Sequence, residues 1–256
     1  MSFTNPNVSV NPWKKKLLII MRISLLLVGS SIIIFGSGGT KVFGLMTLLA
    51  LGVIYLPTLF NRKHLQFIPV EVEILFLVVV ILEYILGNTF GLYGRIDNYD
   101  KFMHFTIPLI VALIGMMFMY TAYLYGRIRT SYWIMAFLIV MVTLGIGALL
   151  ELVEYFYDNF LYLHIYHVFP TGLTQGSPTM DGLSDTMYDL FTDLIGGIVG
   201  ALLGVVLIKR AEKKGKCVEW VDGIAHFEGL KEDDESRGEK IPPENEKSCK
   251  LEESEK

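Results

Sequence analysis

The sequence contains no lysine or arginine between Thr130 and Ile208, although most of this long stretch is apolar. The same stretch carries seven carboxylates, namely Glu151, Glu154, Asp158, Asp181, Asp185, Asp189 and Asp193. A carboxylate at the centre of a bilayer costs roughly 2.5 kcal/mol or more unless something compensates its charge. The compensation must come from protons, from another part of the chain, or from a bound cation.

The composition predicts an all-α, polytopic integral membrane protein. The chain has 256 residues, of which 52% are hydrophobic, and a mean hydropathy of +0.48. A helix needs about 20 residues to cross the hydrocarbon core of a bilayer. Six stretches are long enough, and we place transmembrane helices near 17–35, 41–60, 70–90, 102–125, 132–157 and 185–208. They form a transmembrane domain over 17–208, preceded by an N-terminal segment, 1–16.

Basic residues are unevenly distributed among the connections. They are concentrated before the first span, in 61–69, in 126–131 and after residue 208, and sparse in the alternate loops. The positive-inside rule therefore predicts that both termini of this multi-pass protein are cytoplasmic and that the 91–101 and 158–184 connections face outward. The only two cysteines, Cys217 and Cys249, would then lie in the cytoplasm, where disulfides are rare.

The segment 209–256 begins with a basic juxtamembrane stretch and continues as an acidic tail. Residues 221–256 hold 12 acids and 6 bases with few apolar side chains, a composition typical of disorder. The basic stretch, with Lys209, Arg210, Lys213, Lys214 and Lys216, favours contact with anionic lipid. Nucleic-acid binding has no support.

Ionisable residues of four predicted spans fall in the same outer half of the membrane under this topology. They are Glu83 on the third span, Asp100 and His104 at the start of the fourth, Glu151 and Glu154 on the fifth, and Asp185, Asp189 and Asp193 on the sixth. Spacings of three and four residues place the members of each helix on one face. Small residues continue these stripes, among them Gly147 and the series Gly196, Gly200, Gly204. We expect spans four, five and six to pack closely below an acidic cavity.

Three segments in this region carry a family resemblance. They read Tyr99-Asp100-Lys101-x-x-His104-Phe105, Glu151-Leu152-Val153-Glu154-Tyr155, and Gln175-Gly176 followed by Asp185-x-x-x-Asp189. Their order resembles the YjdF-like family of bacterial and archaeal inner-membrane proteins, over roughly residues 90–205. The resemblance implies a six-helix membrane protein and no particular activity. Ser177 stands where that family has an acid. The Asp-Lys-x-x-His segment by itself is also similar to a segment of VanZ-like membrane proteins.

Three hypotheses explain the acidic cluster. In the first, His104, Glu151, Asp185 and Asp189 hold a divalent metal (zinc, manganese, iron or magnesium) that acts on a lipid or polyprenyl-phosphate headgroup, with Glu154 as general base. Asp100, Asp193 and Glu83 complete the cluster. No recognised hydrolase or transferase motif accompanies these residues.

The second hypothesis is a proton- or cation-coupled transporter. Acids inside a helical bundle are typical of such carriers, and a cationic substrate would supply the missing positive charge. Six helices are few for a carrier monomer, so a homo-oligomer would be expected. The third hypothesis is a structural or accessory membrane protein. Its acids would be protonated and hydrogen-bonded to one another, or hydrated at the membrane surface, and Lys101 and Arg95 are near enough in sequence to pair with some of them. These alternatives stay open at the level of sequence.

The predicted topology is testable with the two native cysteines. Cys217 and Cys249 should react with a membrane-impermeant maleimide only after intact cells are permeabilised. Cysteines introduced one at a time at Asp97 and Ser177, in a Cys217→Ser, Cys249→Ser background, should react without permeabilisation. The opposite pattern would reverse the orientation.

Overall fold

The computed structural model describes residues 11–54, 68–161, 180–213, 220–228 and 230. These residues fold into helices, with no strand among them. The helices are α1 Pro12–Phe35, α2 Thr40–Val53, α3 Val70–Val80, α4 Leu92–Arg95, α5 Tyr99–Leu124, α6 Tyr132–Phe156, α7 Gly182–Lys213 and α8 Trp220–Phe227. Two of them continue into wider π-helical turns, α3 over Ile81–Thr89 and α6 over Tyr157–Leu161.

Four helices are long and apolar enough to cross a membrane, and they correspond to four of the six predicted spans. They are α1, α5, α6 with its π-helical extension, and α7. The predicted span 41–60 contains the shorter apolar α2, and its last residues lie outside the described part of the chain. The predicted span 70–90 matches α3 and its extension in position. These two spans remain predictions.

Helix boundaries follow from capping side chains. Asn11 accepts a hydrogen bond from the Trp13 backbone N–H at 3.3 Å, and Pro12 fits the first turn of α1 because that turn needs no donor from it. Ser131 caps α6 in the same way. Asp181 accepts hydrogen bonds from the backbone N–H and the hydroxyl of Ser184, at 3.0 Å and 2.7 Å, just before α7 begins. These bonds hold the pKa of the exposed Asp181 below its ordinary value.

Two apolar cores divide the bundle. One core lies between α5, α6 and α7 and is centred on Ala112, Met116, Met135 and Ala201. The other lies between α1, α2 and α3 and includes Leu18, Leu25 and Leu77. The large side chains left exposed, such as Phe137, Leu149 and Phe191, are apolar and suit a lipid environment.

Glycines of α7 allow the backbones of α5 and α7 to come into direct contact. A Cβ on Gly196 would overlap the Phe105 carbonyl, and a Cβ on Gly200 would overlap the Leu109 carbonyl. On α6, a Cβ on Gly147 would overlap the Asp193 carboxylate. The predicted close packing of the fourth, fifth and sixth spans is therefore confirmed, and small residues are its cause.

Two ion pairs join the first half of α1 to the first turn of α3. Lys14 Nζ lies 2.8 Å from Glu71 Oε1, and Arg22 contacts both carboxylate oxygens of Glu73 at 2.5 Å. Glu73 is only 2% exposed, so this pairing offsets part of the cost of burying its charge. The partners lie 57 and 51 positions apart, so neither pair is evident from the sequence.

The prediction of a disordered tail is wrong at its beginning. Trp220–Phe227 form α8, whose Val221, Ile224 and Ala225 are buried. α8 packs against α5 and α3, and its Phe227 ring meets Phe118 edge-on at 6.0 Å. The apolar residues between 220 and 227 share one helical face, a signal that the overall acidity of 221–256 hid. Residues 231–256 lie outside the described residues.

The α5–α7 contact predicts a sharp difference between two glycines. Gly200→Ala should lower the free energy of unfolding by about 1–3 kcal/mol, because the new methyl group meets a rigid backbone carbonyl. Gly145→Ala is the matched control, since nothing lies within 4 Å of its Cβ position. Thermal unfolding in mild detergent measures both. Equal melting temperatures for the two variants would contradict the close contact.

Candidate functional site

Three helix segments bring their ionisable side chains together at one end of the bundle. Asp100 and His104 come from the first turns of α5, and Glu151 and Glu154 from the last turns of α6. Asp185, Asp189 and Asp193 follow α7 inward from its first turn, and Asp193 lies about 16 Å along that helix. All of these except Asp100 are buried. We call these seven residues together with Lys101 the acidic cluster.

Lys101 supplies positive charge to the outer part of the acidic cluster. Its Nζ lies 2.5 Å from Asp185 Oδ1, 2.7 Å from the Asp189 carboxylate and 3.0 Å from Asp100 Oδ2. The ammonium group thus donates to three carboxylates, two on α7 and one on its own helix. Part of the compensation missing from 130–208 therefore comes from another part of the chain. Lys101 ties the beginnings of α5 and α7 together.

His104 is oriented by the deepest acid of the cluster. Its Nδ1 lies 3.1 Å from Asp193 Oδ1, within hydrogen-bond distance. When the Asp193 carboxylate is ionised it can only accept, and Nδ1 then carries the hydrogen. In a neutral imidazole, Nε2 then presents a lone pair to the centre of the cluster. A carboxylate that fixes one imidazole nitrogen while the other is free to coordinate is the usual support of a metal-ligating histidine.

Three carboxylate oxygens from three helices face His104 Nε2. Asp100 Oδ1 and Asp189 Oδ1 lie at 3.8 Å and Glu151 Oε1 at 3.9 Å. These separations are too long for hydrogen bonds. Ligand atoms of Asp100, His104 and Asp189 all lie within 4.8 Å of one another, which suits a shared ion. Acceptor groups that converge in this way repel one another unless a proton or a cation lies between them.

The acidic cluster has an excess of negative charge. Its carboxylates number six, against the ammonium of Lys101 and an imidazole that carries at most one charge. Asp189 and Asp193 are each only 1% exposed, so water does not offset the excess there. If all six carboxylates were ionised, the cluster would carry a net charge of about −4, and its buried members would need protons or bound cations.

Glu83 belongs to a separate group on the π-helical turn after α3. It accepts a hydrogen bond from the Tyr93 hydroxyl at 2.6 Å and another from Asn88 Nδ2 at 2.9 Å. Tyr99 donates its hydroxyl to the Leu82 carbonyl at 2.8 Å, so the widened turn is bonded to α5. Burial and the neighbouring Glu83 raise the pKa of Tyr93, so its hydroxyl stays protonated and donates. Isolated π-helical turns often occur at functional sites.

A cavity of about 850 Å³ lies between the two halves of the bundle and joins Glu83 to the acidic cluster. Its wall is formed by α2, α3, α5, α6 and α7 and is mostly apolar. Its ionisable lining residues are Glu83, Asp100, His104, Glu154 and Asp193. Sizes of this order are typical of sites for small organic ligands.

The structure brings seven of the eight predicted residues into one cluster and leaves Glu83 across the cavity. Within the cluster, Asp185 contacts Lys101. Asp100, His104 and Asp189 form the group whose ligand atoms lie close enough together to share a metal ion. Sequence reasoning missed Tyr93 as a partner of Glu83. It placed Lys101 near the acids because Lys101 adjoins Asp100, but it did not indicate that Asp185 and Asp189 are the partners on α7. The loop residues 162–179, a candidate lid by sequence, lie outside the described residues.

The comparison with protein families decides the class of this chain. Residues 17–210 match the model of a family described as predicted membrane protein, DUF2238. The chain belongs to this family. It is therefore a membrane protein, as its apolar helices indicate. No curated protein and no solved structure matches the chain. The likenesses to YjdF-like and VanZ-like proteins remain interpretations of the motifs.

Lys101 should be a principal stabilising residue of this family member. Lys101→Met leaves three carboxylates facing one another, and we expect it to lower the free energy of unfolding by about 3 kcal/mol or more. A second change, Asp185→Asn, should recover part of the loss because it removes one repelling charge. Melting temperatures in mild detergent test this, with the exposed Lys41→Met as control. A Lys101→Met protein as stable as wild type would contradict the ion-pair account.

Proposed function

We propose that the protein holds a divalent cation at the acidic cluster, in a six-span inner-membrane protein with cytoplasmic termini. His104, Asp100 and Asp189 are the central ligands, and Glu151 is within reach as a fourth. Asp193 fixes the imidazole, and Lys101 balances the outer carboxylates. Asp185, an expected ligand by sequence, takes the role of a Lys101 partner.

The convergence of acceptors on His104 Nε2 carries this proposal. Three carboxylate oxygens from three helices lie 3.8–3.9 Å from His104 Nε2, and a cation among these acceptors would turn their repulsion into attraction. One imidazole with two or three carboxylates is a ligand set suited to zinc, manganese or iron. Magnesium would keep more of its own water ligands.

A metal at this position would lie beside an apolar cavity, which fits action on a lipid headgroup. A lipid or polyprenyl phosphate would place its chain in the cavity and its phosphate on the metal. The metal would supply the positive charge that the described cavity wall lacks. Glu154, buried at the cavity wall one turn from Glu151, is placed to act as general base towards a water molecule.

A proton- or cation-coupled transporter is the second candidate. It is favoured by the stripe Asp185, Asp189, Asp193, which carries acids stepwise from the beginning of α7 into the core. The adjoining cavity would accommodate a cationic substrate. An oligomer would supply further helices around the site.

Elemental analysis tests the metal site. The protein purified in mild detergent without chelator should contain about one zinc, manganese or iron ion per chain. His104→Gln and Asp189→Asn should each lose it, because each removes a central ligand. Chelation should lower the melting temperature of the wild type and leave that of the two variants unchanged, since a ligand stabilises the state that binds it.

Asp181→Asn is the control for these variants, because Asp181 is an exposed acid at the same end of the bundle and outside the cluster. It should retain the metal. A wild type that stays free of metal after incubation with each ion in turn would rule out the proposal and favour the transporter. With metal present, release of phosphate from lipid phosphates would be the assay for activity.

A further inference from the structure

The described wall of the cavity carries acids and no lysine or arginine. Glu83 comes from the π-helical turn after α3, and Asp100, Glu154 and Asp193 come from the acidic cluster together with His104. The remaining lining is largely apolar and includes the aromatic rings of Phe43, Phe76, Tyr84, Tyr93, Phe156 and Tyr157. An apolar chamber whose formal charges are negative is complementary to a hydrophobic molecule with a positive charge.

One buried oxygen of this wall lacks a partner among the described residues. Asp193 is 1% exposed and uses Oδ1 to accept from His104, while its Oδ2 has no hydrogen-bond partner. Oδ2 lies against Gly147, a lining residue of the same cavity that has no side chain to cover it. A buried, unsatisfied carboxylate oxygen is costly, and a positively charged ligand would remove that cost.

Glu83 is arranged as a second, pre-oriented anchor. The Tyr93 hydroxyl and Asn88 Nδ2 hold its carboxylate in the cavity wall, and the π-helical turn that carries it is bonded to Tyr99. Preorganised groups bind at lower entropic cost than mobile ones. Aromatic faces nearby add cation–π attraction, which is strongest for cations that shed water easily.

We propose that this cavity is a binding site for a lipophilic cation, an amphiphile with an ammonium or similarly delocalised charge and an apolar body. The charge lies between Glu83 and the acids Glu154 and Asp193, and the apolar body lies against α2, α3 and α6. Asp100 and His104 also line the cavity, but Glu83, the principal anchor, is not one of the proposed metal ligands. The inference therefore does not depend on the proposed divalent site.

Two hydrophobic ions of similar shape and opposite charge test this proposal. Tetraphenylphosphonium should bind the wild-type protein in nonionic detergent with chelator present, as followed by equilibrium dialysis against protein-free micelles. Tetraphenylborate should not bind above the micelle background. Glu83→Gln should weaken tetraphenylphosphonium binding at least about tenfold, since it keeps the shape and removes the charge. Glu154→Gln provides a second variant, and Asp181→Asn, outside the cavity, is the control.

The metal and cation sites are separated by the same set of variants. Glu83→Gln should retain the divalent metal while losing the organic cation, and His104→Gln should show the reverse. Equal binding of the two tetraphenyl ions, or unchanged tetraphenylphosphonium affinity in both glutamine variants, would overturn the lipophilic-cation site. Neither result would bear on the metal content of the wild type.

Discussion

The cost of holding six carboxylates in a largely water-excluded bundle constrains the rest of the structure. Lys101 offsets part of this free-energy cost because its ammonium group contacts Asp100, Asp185 and Asp189 at once. These contacts fix the beginning of α5 against that of α7. His104 and Asp193 extend the network inward by one hydrogen bond. Because a buried charge without a partner is far more costly than a paired one, this network sets the register of the two helices.

Backbone contact between α5 and α7 is what places the polar groups within reach of one another. Gly196 and Gly200 lie against the carbonyls of Phe105 and Leu109, and Gly147 leaves room for the Asp193 carboxylate. Side chains of ordinary size at these positions would hold the helices further apart. The small residues of α6 and α7 thus allow the close helix packing that brings the acidic side chains together.

The cavity follows from the division of the bundle into two cores. The core of α1, α2 and α3 is held by apolar packing and by the Arg22–Glu73 pair at the end remote from Glu83. The core of α5, α6 and α7 is held by glycine contacts and by the acidic cluster. Glu83, on the π-helical turn after α3, lines the cavity between these two cores together with His104 and Glu154. Glu83 and the acidic cluster therefore border the same cavity.

The sequence by itself determined the helical class, four of the spans and the list of acids that meet, because hydropathy and the 3.6-residue period are local properties. It also indicated the close packing of the last three spans through the spacing of Gly196, Gly200 and Gly204. It misjudged the beginning of the tail, where the apolar face of α8 is diluted by the acidic residues that follow.

Only the tertiary structure decided which partner each acid contacts. Lys101 and Asp185 are 84 positions apart, and Asp193 and His104 are 89 apart, so no local pattern assigns these pairs. The same holds for Arg22 and Glu73, which are separated by 51 positions. The partner of each carboxylate can be a proton, a lysine or a bound ion. Which of these it is depends on differences of an ångström or less in the distances between side chains of neighbouring helices. Those distances are set by packing, which composition and periodicity do not specify.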